Sequence, residues 1–170
     1  MECELEAQQK TVRARGLILT ITVLALSCSP ALQQSSSRTD ELREMERRTY
    51  ELVNNYRQSR GLKPLIWNNI ISERALKHSE RMASNRLQFS HAGFDNRVKQ
   101  IATRMNVRNS SENIAVNWGY DDPAQKFVEG WIQSPGHLEN IVRDYDFTGI
   151  GIAKSTDGSY YATQIFILTR

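Results

Sequence analysis

Apolar positions follow helical spacing through most of the chain and turn to alternation near its end. Leu42, Met45, Thr49, Leu52, Val53 and Tyr56 recur at three- and four-residue steps. This predicts a helix over about Asp40 to Arg60 with one apolar stripe, ended by Gly61 in the left-handed conformation. A second helix is expected from about Asn69 to Arg86, with Ile71, Ala75, His78 and Met82 on one face. On that core-facing stripe His78 reads as a buried, hydrogen-bonded histidine rather than a ligand. A short helix is expected near Asp95 to Met105, with Val98, Ile101 and Met105 inward. Asp122-Pro123 opens another, an N-cap acid followed by Pro in the first turn, with Phe127, Val128 and Trp131 toward the core. Pro135-Gly136 breaks it and starts a short helical turn through Ile141.

Asn113 to Asn117 alternates weakly and is expected as a strand. Thr148 to Lys154 and Tyr160 to Thr169 alternate more clearly, and Asp157-Gly158 between them signals a β-hairpin. Helices come first and strands late. No βα repeat is present to build a doubly wound sheet, so the fold class is α+β.

The N-terminus reads differently. Lys10, Arg13 and Arg15 flank an apolar, uncharged run from Gly16 to Ser27. The run is short for a bilayer span and fits the hydrophobic region of an export signal. Ala25-Leu26-Ser27 is a small-x-small cleavage site. Leu24 to Cys28 is also similar to a lipoprotein box, with Ala25 in place of a large aliphatic residue. Lipidation at Cys28, plain secretion and an uncleaved anchor are three open readings. A lipid on one residue anchors a protein to a membrane without spanning it. The expected organisation is residues 1–28 as signal, 29–40 as a serine-rich polar linker, and 41–169 as the domain.

Composition narrows the function classes. The chain has 170 residues, 39% hydrophobic and 24% charged, with a formal charge of +3. One globular domain is the expectation. Residues 1–28 hold three basic and three acidic residues, so the remainder keeps the whole charge. That charge is too small and too dispersed to indicate nucleic acid as a partner. Both cysteines, Cys3 and Cys28, lie in the signal segment. The domain therefore has neither a disulfide nor a cysteine nucleophile. No G-x-S-x-G elbow and no H-E-x-x-H helix is present.

Three segments carry the candidate chemistry: Phe89-Ser90-His91, Glu112-Asn113-Ile114-Ala115, and Trp131 to Ile141 with His137. The chain has three histidines, and two of them lie here. Two imidazoles and a carboxylate in one cleft can hold a divalent metal or polarise a water. Each residue also has a plainer reading. His91 can be a loop histidine bonded to backbone, Glu112 can cap local amides or pair with a nearby Arg, and His137 can be an ordinary helix-start residue.

The order of motifs resembles the CAP superfamily, or SCP domain, in its compact bacterial form, over about Glu41 to Leu168. The residues that carry it are Val53-Asn54-Asn55-Tyr56-Arg57, Leu62 to Trp67, and His78-Ser79 with Met82-Ala83. The three segments above come next, then Gly149-Ile150-Gly151 and Thr163-Gln164-Ile165-Phe166. The resemblance implies a three-layer α-β-α sandwich with a small, mainly antiparallel sheet. It implies that His91, Glu112 and His137 line a central cleft, with His91 and His137 as candidate zinc ligands and zinc as the candidate cofactor. Many members complete a tetrad with a second glutamate. The matching place here, Ile132-Gln133-Ser134, has no acid, and Glu129 and Glu139 lie on other turns.

The implied function is an exported, extracytoplasmic binding module for a lipid or cell-envelope ligand, in contact with a membrane only through an N-terminal anchor. Trp118-Gly119-Tyr120 and Trp67 are candidates for an apolar groove, with Trp67 read as a core or rim residue. A metal-dependent hydrolase using the same cleft and a surface-anchored interaction protein are the alternatives.

Overall fold

The computed structural model describes residues 6–14, 17–25 and 30–169, with side-chain detail from 39 onward. The chain divides into two compact units, 1–40 and 41–170. In the first, β1 (Glu6–Ala14) pairs antiparallel with β2 (Leu17–Ala25). The apolar run expected as an export signal thus contains a strand, rich in β-branched residues. Helix α1 (Pro30–Ser59) begins ten residues before the expected start, so the segment read as a linker is helical from Pro30. Proline is well suited to a first helical turn, and no glycine interrupts the turns after it. Cys3, Cys28 and the expected cleavage or lipidation site lie outside the described residues. No helix among the described residues is long and apolar enough to cross a membrane.

The second unit is built on one mixed sheet. Its strands are β3 (Ile66–Trp67), β4 (Asn109–Asn117), β5 (Phe147–Lys154) and β6 (Tyr160–Leu168), in the order β3-β5-β6-β4. Only the short β3–β5 pairing is parallel. The helices are α2 (Asn69–Ala83), α3 (Phe94–Ala102), α4 (Pro123–Gln133) and α5 (Pro135–Val142). Two separate cores cover the two sheet faces. Ile150, Ile152, Ala162 and Phe166 pack with Val53, Phe127, Trp131 and Ile141 from α1, α4 and α5. Ile165 and Ile167 pack with Ile71, Ala75 and Ile101 from α2 and α3. This is the expected α-β-α sandwich.

The sequence motifs are largely fastenings of this sandwich. Helix α1 ends as expected, with Gly61 at φ 72° and paired bonds from Gly61 N to Gln58 O and Leu62 N to Arg57 O. The Asn54 side chain holds the Leu65 backbone at both its N–H and its carbonyl, at 2.8 and 3.1 Å. Arg57, 1% exposed, donates to the carbonyls of Lys63, Ile141 and Arg143. Burial lowers its pKa, but three acceptors satisfy the guanidinium.

Helix α2 lies unusually close to β5. An added Cβ at Gly149 would sit 2.2 Å from Ser72 N, and one at Gly151 would sit 2.0 Å from Leu76 N. Ser79 Oγ uses the approach to donate to Gly151 O and Thr163 Oγ1, both at 2.8 Å. Beyond the two residues of β3, side chains cover the β5 edge. Ser72 Oγ donates to Ile150 O, and Glu46 accepts from Ile152 N at 2.9 Å. Burial pushes the Glu46 carboxyl up to about 7.

The obstructing atoms at Gly151 are helix backbone, which cannot rotate aside. Gly151→Ala should therefore push α2 off the sheet and cost about 1–3 kcal/mol or more. Urea denaturation of the wild type and variant measures this, and an unchanged midpoint would show that the helix yields freely.

Candidate functional site

His91 stands in the loop between α2 and α3, and its side chain is 51% exposed. Beneath it lies a chain of polar side chains. His91 Nδ1 donates to Glu112 Oε1 at 2.9 Å, because a carboxylate can only accept. Glu112, on β4, has its side chain 1% exposed. Arg97 of α3 grips it with two bonds, Nε to Oε2 at 2.9 Å and Nη2 to Oε1 at 2.7 Å. Arg97 Nη1 donates to His78 Nδ1 at 3.0 Å and to Ala92 O at 2.9 Å. His78 Nε2 in turn donates to Ser90 O at 2.9 Å. The loop that carries His91 is thus held from below at Ser90, at Ala92 and through the ring itself.

Tautomers and charges are set by these partners. His78 spends its one N–H on Ser90 and accepts from Arg97, so it is neutral. Burial, then the Arg97 charge, push its pKa down to about 4. Burial raises the Glu112 carboxyl, and Arg97 and His91 draw it back. The two-pronged guanidinium contact keeps it ionised. With Nδ1–H turned to Glu112, His91 presents its Nε2 lone pair outward.

His137 comes from the start of α5. Asn113 Nδ2 donates to His137 O at 3.1 Å, and Asn140 Nδ2 donates to Asn113 Oδ1 at 2.9 Å. Trp131 Nε1 donates to Ile114 O at 3.1 Å. These bonds dock α4 and α5 on β4 directly after Glu112. Burial, with a smaller effect of the His91 charge, lowers the pKa of His137. The ring is therefore neutral at pH 7.

From His137 a groove of about 640 Å³ runs past Trp131, Ile114 and Val116 to Trp118 and Tyr120. Phe89 forms part of its wall and packs at 6.5 Å on Tyr161. Trp118 is 71% exposed, on a turn whose Gly119 has φ 75°. Gly130 faces the groove from inside α4 and leaves it open. Trp67 lies elsewhere. It packs edge-on to Tyr50 at 5.5 Å, on the margin of the α1 core.

The donor set at the histidines is limited. Both Glu112 oxygens accept bonds, Oε1 from His91 and Arg97 and Oε2 from Arg97, so the buried carboxylate orients the His91 ring. Glu129 bonds Gln125 and Lys126, and Glu139 pairs with Arg143. Neither supplies the fourth group. No set of three or more His, Cys, Asp or Glu side chains among the described residues could hold a metal ion. A metal here would have His91 Nε2 and the His137 ring as its protein ligands.

Arg97 is the residue the sequence reading missed. The short helix is Phe94–Ala102 rather than Asp95 to Met105, and Arg97 and Ile101 are its buried residues. Val98 and Met105 are only partly buried. Arg97 stands four residues before Ile101, so it lies on the inward stripe. A charge at such a position calls for a buried partner.

A family model for the cysteine-rich secretory protein family, CAP, matches residues 50–166. The uncharacterized protein YkwD of Bacillus subtilis (strain 168) is 31% identical over 165 residues, covering 94% of this chain and 61% of that protein. The chain thus spans about three-fifths of that relative. An outer surface protein from Borrelia burgdorferi superposes with a TM-score of 0.64 at 20% identity, over 75% of this chain and 94% of that one. An extracellular SCP-domain protein from Bacillus anthracis gives 0.64 at 23% identity, over 88% and 47%.

His78 and Glu46 make opposing contributions to stability against pH. His78 resists protonation in the fold, so its contribution is lost as pH falls from about 6.5 toward 4. Glu46 holds its proton more tightly in the fold, so its contribution is lost as pH rises from 4.5 toward 7. Glu46→Gln should remove the second slope and expose the first, with a loss of up to about 3 kcal/mol on acidification through the His78 window. His78→Ala should lose about 1–3 kcal/mol near neutrality and reverse the slope. Thermal melts across this range measure both, and parallel profiles for all three proteins would refute the assignment.

Proposed function

Because the chain belongs to the CAP family, we propose that it acts outside the cytoplasm as a binding module. In this reading its ligand is a small amphiphile, a lipid or a related cell-envelope molecule. The apolar body lies along the groove from Trp131 to Trp118 and Tyr120, and the polar head meets His137 and Ser134. The groove itself carries this reading. It is lined mainly by aromatic and aliphatic side chains, several of them exposed, with Ser134 and His137 at one end and Lys126 over the Tyr120 ring at the other. Export is supported by the basic flank and apolar run at the N-terminus. It agrees with the extracellular and outer-surface descriptions of the two structural relatives.

Zinc is the candidate cofactor, held by His91 and His137 and completed by water or ligand. Two imidazoles make a labile site rather than a structural one. When bound, the metal supplies a positive centre for a polar or anionic head group. Glu112 holds the His91 ring in the ligating tautomer. A metal-dependent hydrolase would need Glu112 as a free base, and its oxygens are engaged by Arg97 and His91.

Quenching of tryptophan fluorescence tests the groove. A long-chain fatty acid should bind saturably, and Trp118→Ala should weaken it roughly tenfold, as loss of an aromatic anchor does. Equal binding by wild type and variant would place the ligand elsewhere. Calorimetry with zinc tests the histidine end. Uptake should be weak at about pH 7.5 and should fall as pH drops through the ordinary histidine range, about 6–7. His91→Ala and His137→Ala should each abolish it, and the double variant should lose little more. Zinc-stimulated ester or peptide turnover abolished by Glu112→Gln would overturn the binding reading.

A further inference from the structure

Behind the cleft, where α2 meets α3, is a hollow of about 210 Å³ lined mainly by hydrogen-bond donors. Arg74, Lys77 and Arg81 come from α2, Asn96 and Gln100 from α3, and Arg97 lies between. No carboxylate lines it. Arg97 is neutralised on its other side by Glu112. The three α2 cations have no such partner, since none forms an ion pair or a side-chain hydrogen bond. Lys77 stands three residues after Arg74 and four before Arg81, spacings at which like charges on a helix repel. Glu73 lines another hollow, Glu80 shares a second one with Lys77 and Arg81, and among the described residues neither forms an ion pair with any of the three.

A second observation points to a missing acceptor. Arg74 Nε is buried and has no hydrogen-bond partner. A buried N–H in that condition destabilises a fold unless something accepts from it. Helix α3 also starts at this hollow. Its N-cap, Gly93, has no side chain to satisfy the first amides, and the positive end of the helix is left toward the space. Exposed Asp95 of that first turn lies outside the lining.

We propose that this hollow is an anion site that takes one phosphate group, presented by a soluble phosphate ester or by a lipid headgroup. The Arg74 and Arg81 guanidinium groups and the Lys77 ammonium supply charge-assisted donors, and Asn96 and Gln100 supply neutral ones. The site is separate from the apolar groove and does not depend on the function assigned to it.

The test uses the full chain. Inorganic phosphate, followed by calorimetry and by amide NMR shifts, should bind saturably, with shifts centred on Arg74, Lys77 and Gly93 to Arg97. Arg74→Gln and Lys77→Gln should each weaken binding roughly tenfold. Arg48→Gln, which removes a charge paired with Asp122, should not. Thermal midpoints are read alongside. The Arg74 and Lys77 side chains have no internal partner, so their variants should melt no lower than wild type. Glycerol phosphate and phosphatidylcholine vesicles with and without phosphatidic acid separate the two sources. Binding of glycerol phosphate without retention on vesicles assigns a soluble ester. Retention that needs both phosphatidic acid and Arg74 assigns a headgroup. Phosphate binding equal in wild type and Arg74→Gln, or spread over every basic surface, is an adventitious ion only and overturns the proposal.

Discussion

The ion pair between Arg97 and Glu112 ties the two faces of the domain to one point. Its carboxylate comes from β4, its guanidinium from α3, and both are nearly sealed from solvent. Removing one partner of such a pair leaves an uncompensated buried charge, at a cost of about 3–5 kcal/mol. His91, His78 and the loop between α2 and α3 take their positions from this contact. Glu112 can orient His91 only because Arg97 keeps it ionised and still. His78 is neutral because one nitrogen receives Arg97 and the other gives its proton to Ser90. The loop between α2 and α3 is fixed in turn, since its carbonyls at Ser90 and Ala92 are acceptors in the same network.

Around that point the sandwich is fastened by polar side chains that reach backbone rather than one another. Asn54 replaces a missing strand partner for Leu65, Arg57 gathers three carbonyls, and Asn113 with Asn140 seats the start of α5. Such bonds contribute modestly when made and are costly when half made. This explains how a small domain without disulfides holds a defined cleft. The histidines sit on loop and helix ends that are anchored from several directions.

Much of this was legible in the chain. The stripes of α1, α2 and α4, the Gly61 stop, the Asp122 cap and the closing hairpin all come from local rules, because each depends on neighbours within one turn. The core reading of His78 came from its stripe. What escaped depended on distant partners. β3 pairs at only two positions, too few to leave a pattern. The alternation of β5 was visible, but not that its glycines are the floor on which α2 lies. Arg97 escaped because its partner is fifteen residues away on another element. The plain reading of Glu112, a carboxylate paired with a nearby Arg, is what the structure shows, and the same side chain also accepts a bond from His91.

That double role bears on the chemistry the cleft can support. The carboxylate that orients His91 already accepts two bonds from Arg97 and one from His91. His91 stands over that carboxylate, and an apolar surface runs on from His137. The same guanidinium that holds Glu112 also borders the donor-lined hollow behind it. Its charge is cancelled on the cleft side. The Arg74, Lys77 and Arg81 charges on the far side are not, so the cleft remains nearly neutral while the back of α2 stays cationic. The apolar groove thus lies along β4 and α4, and the donor-lined hollow lies between α2 and α3.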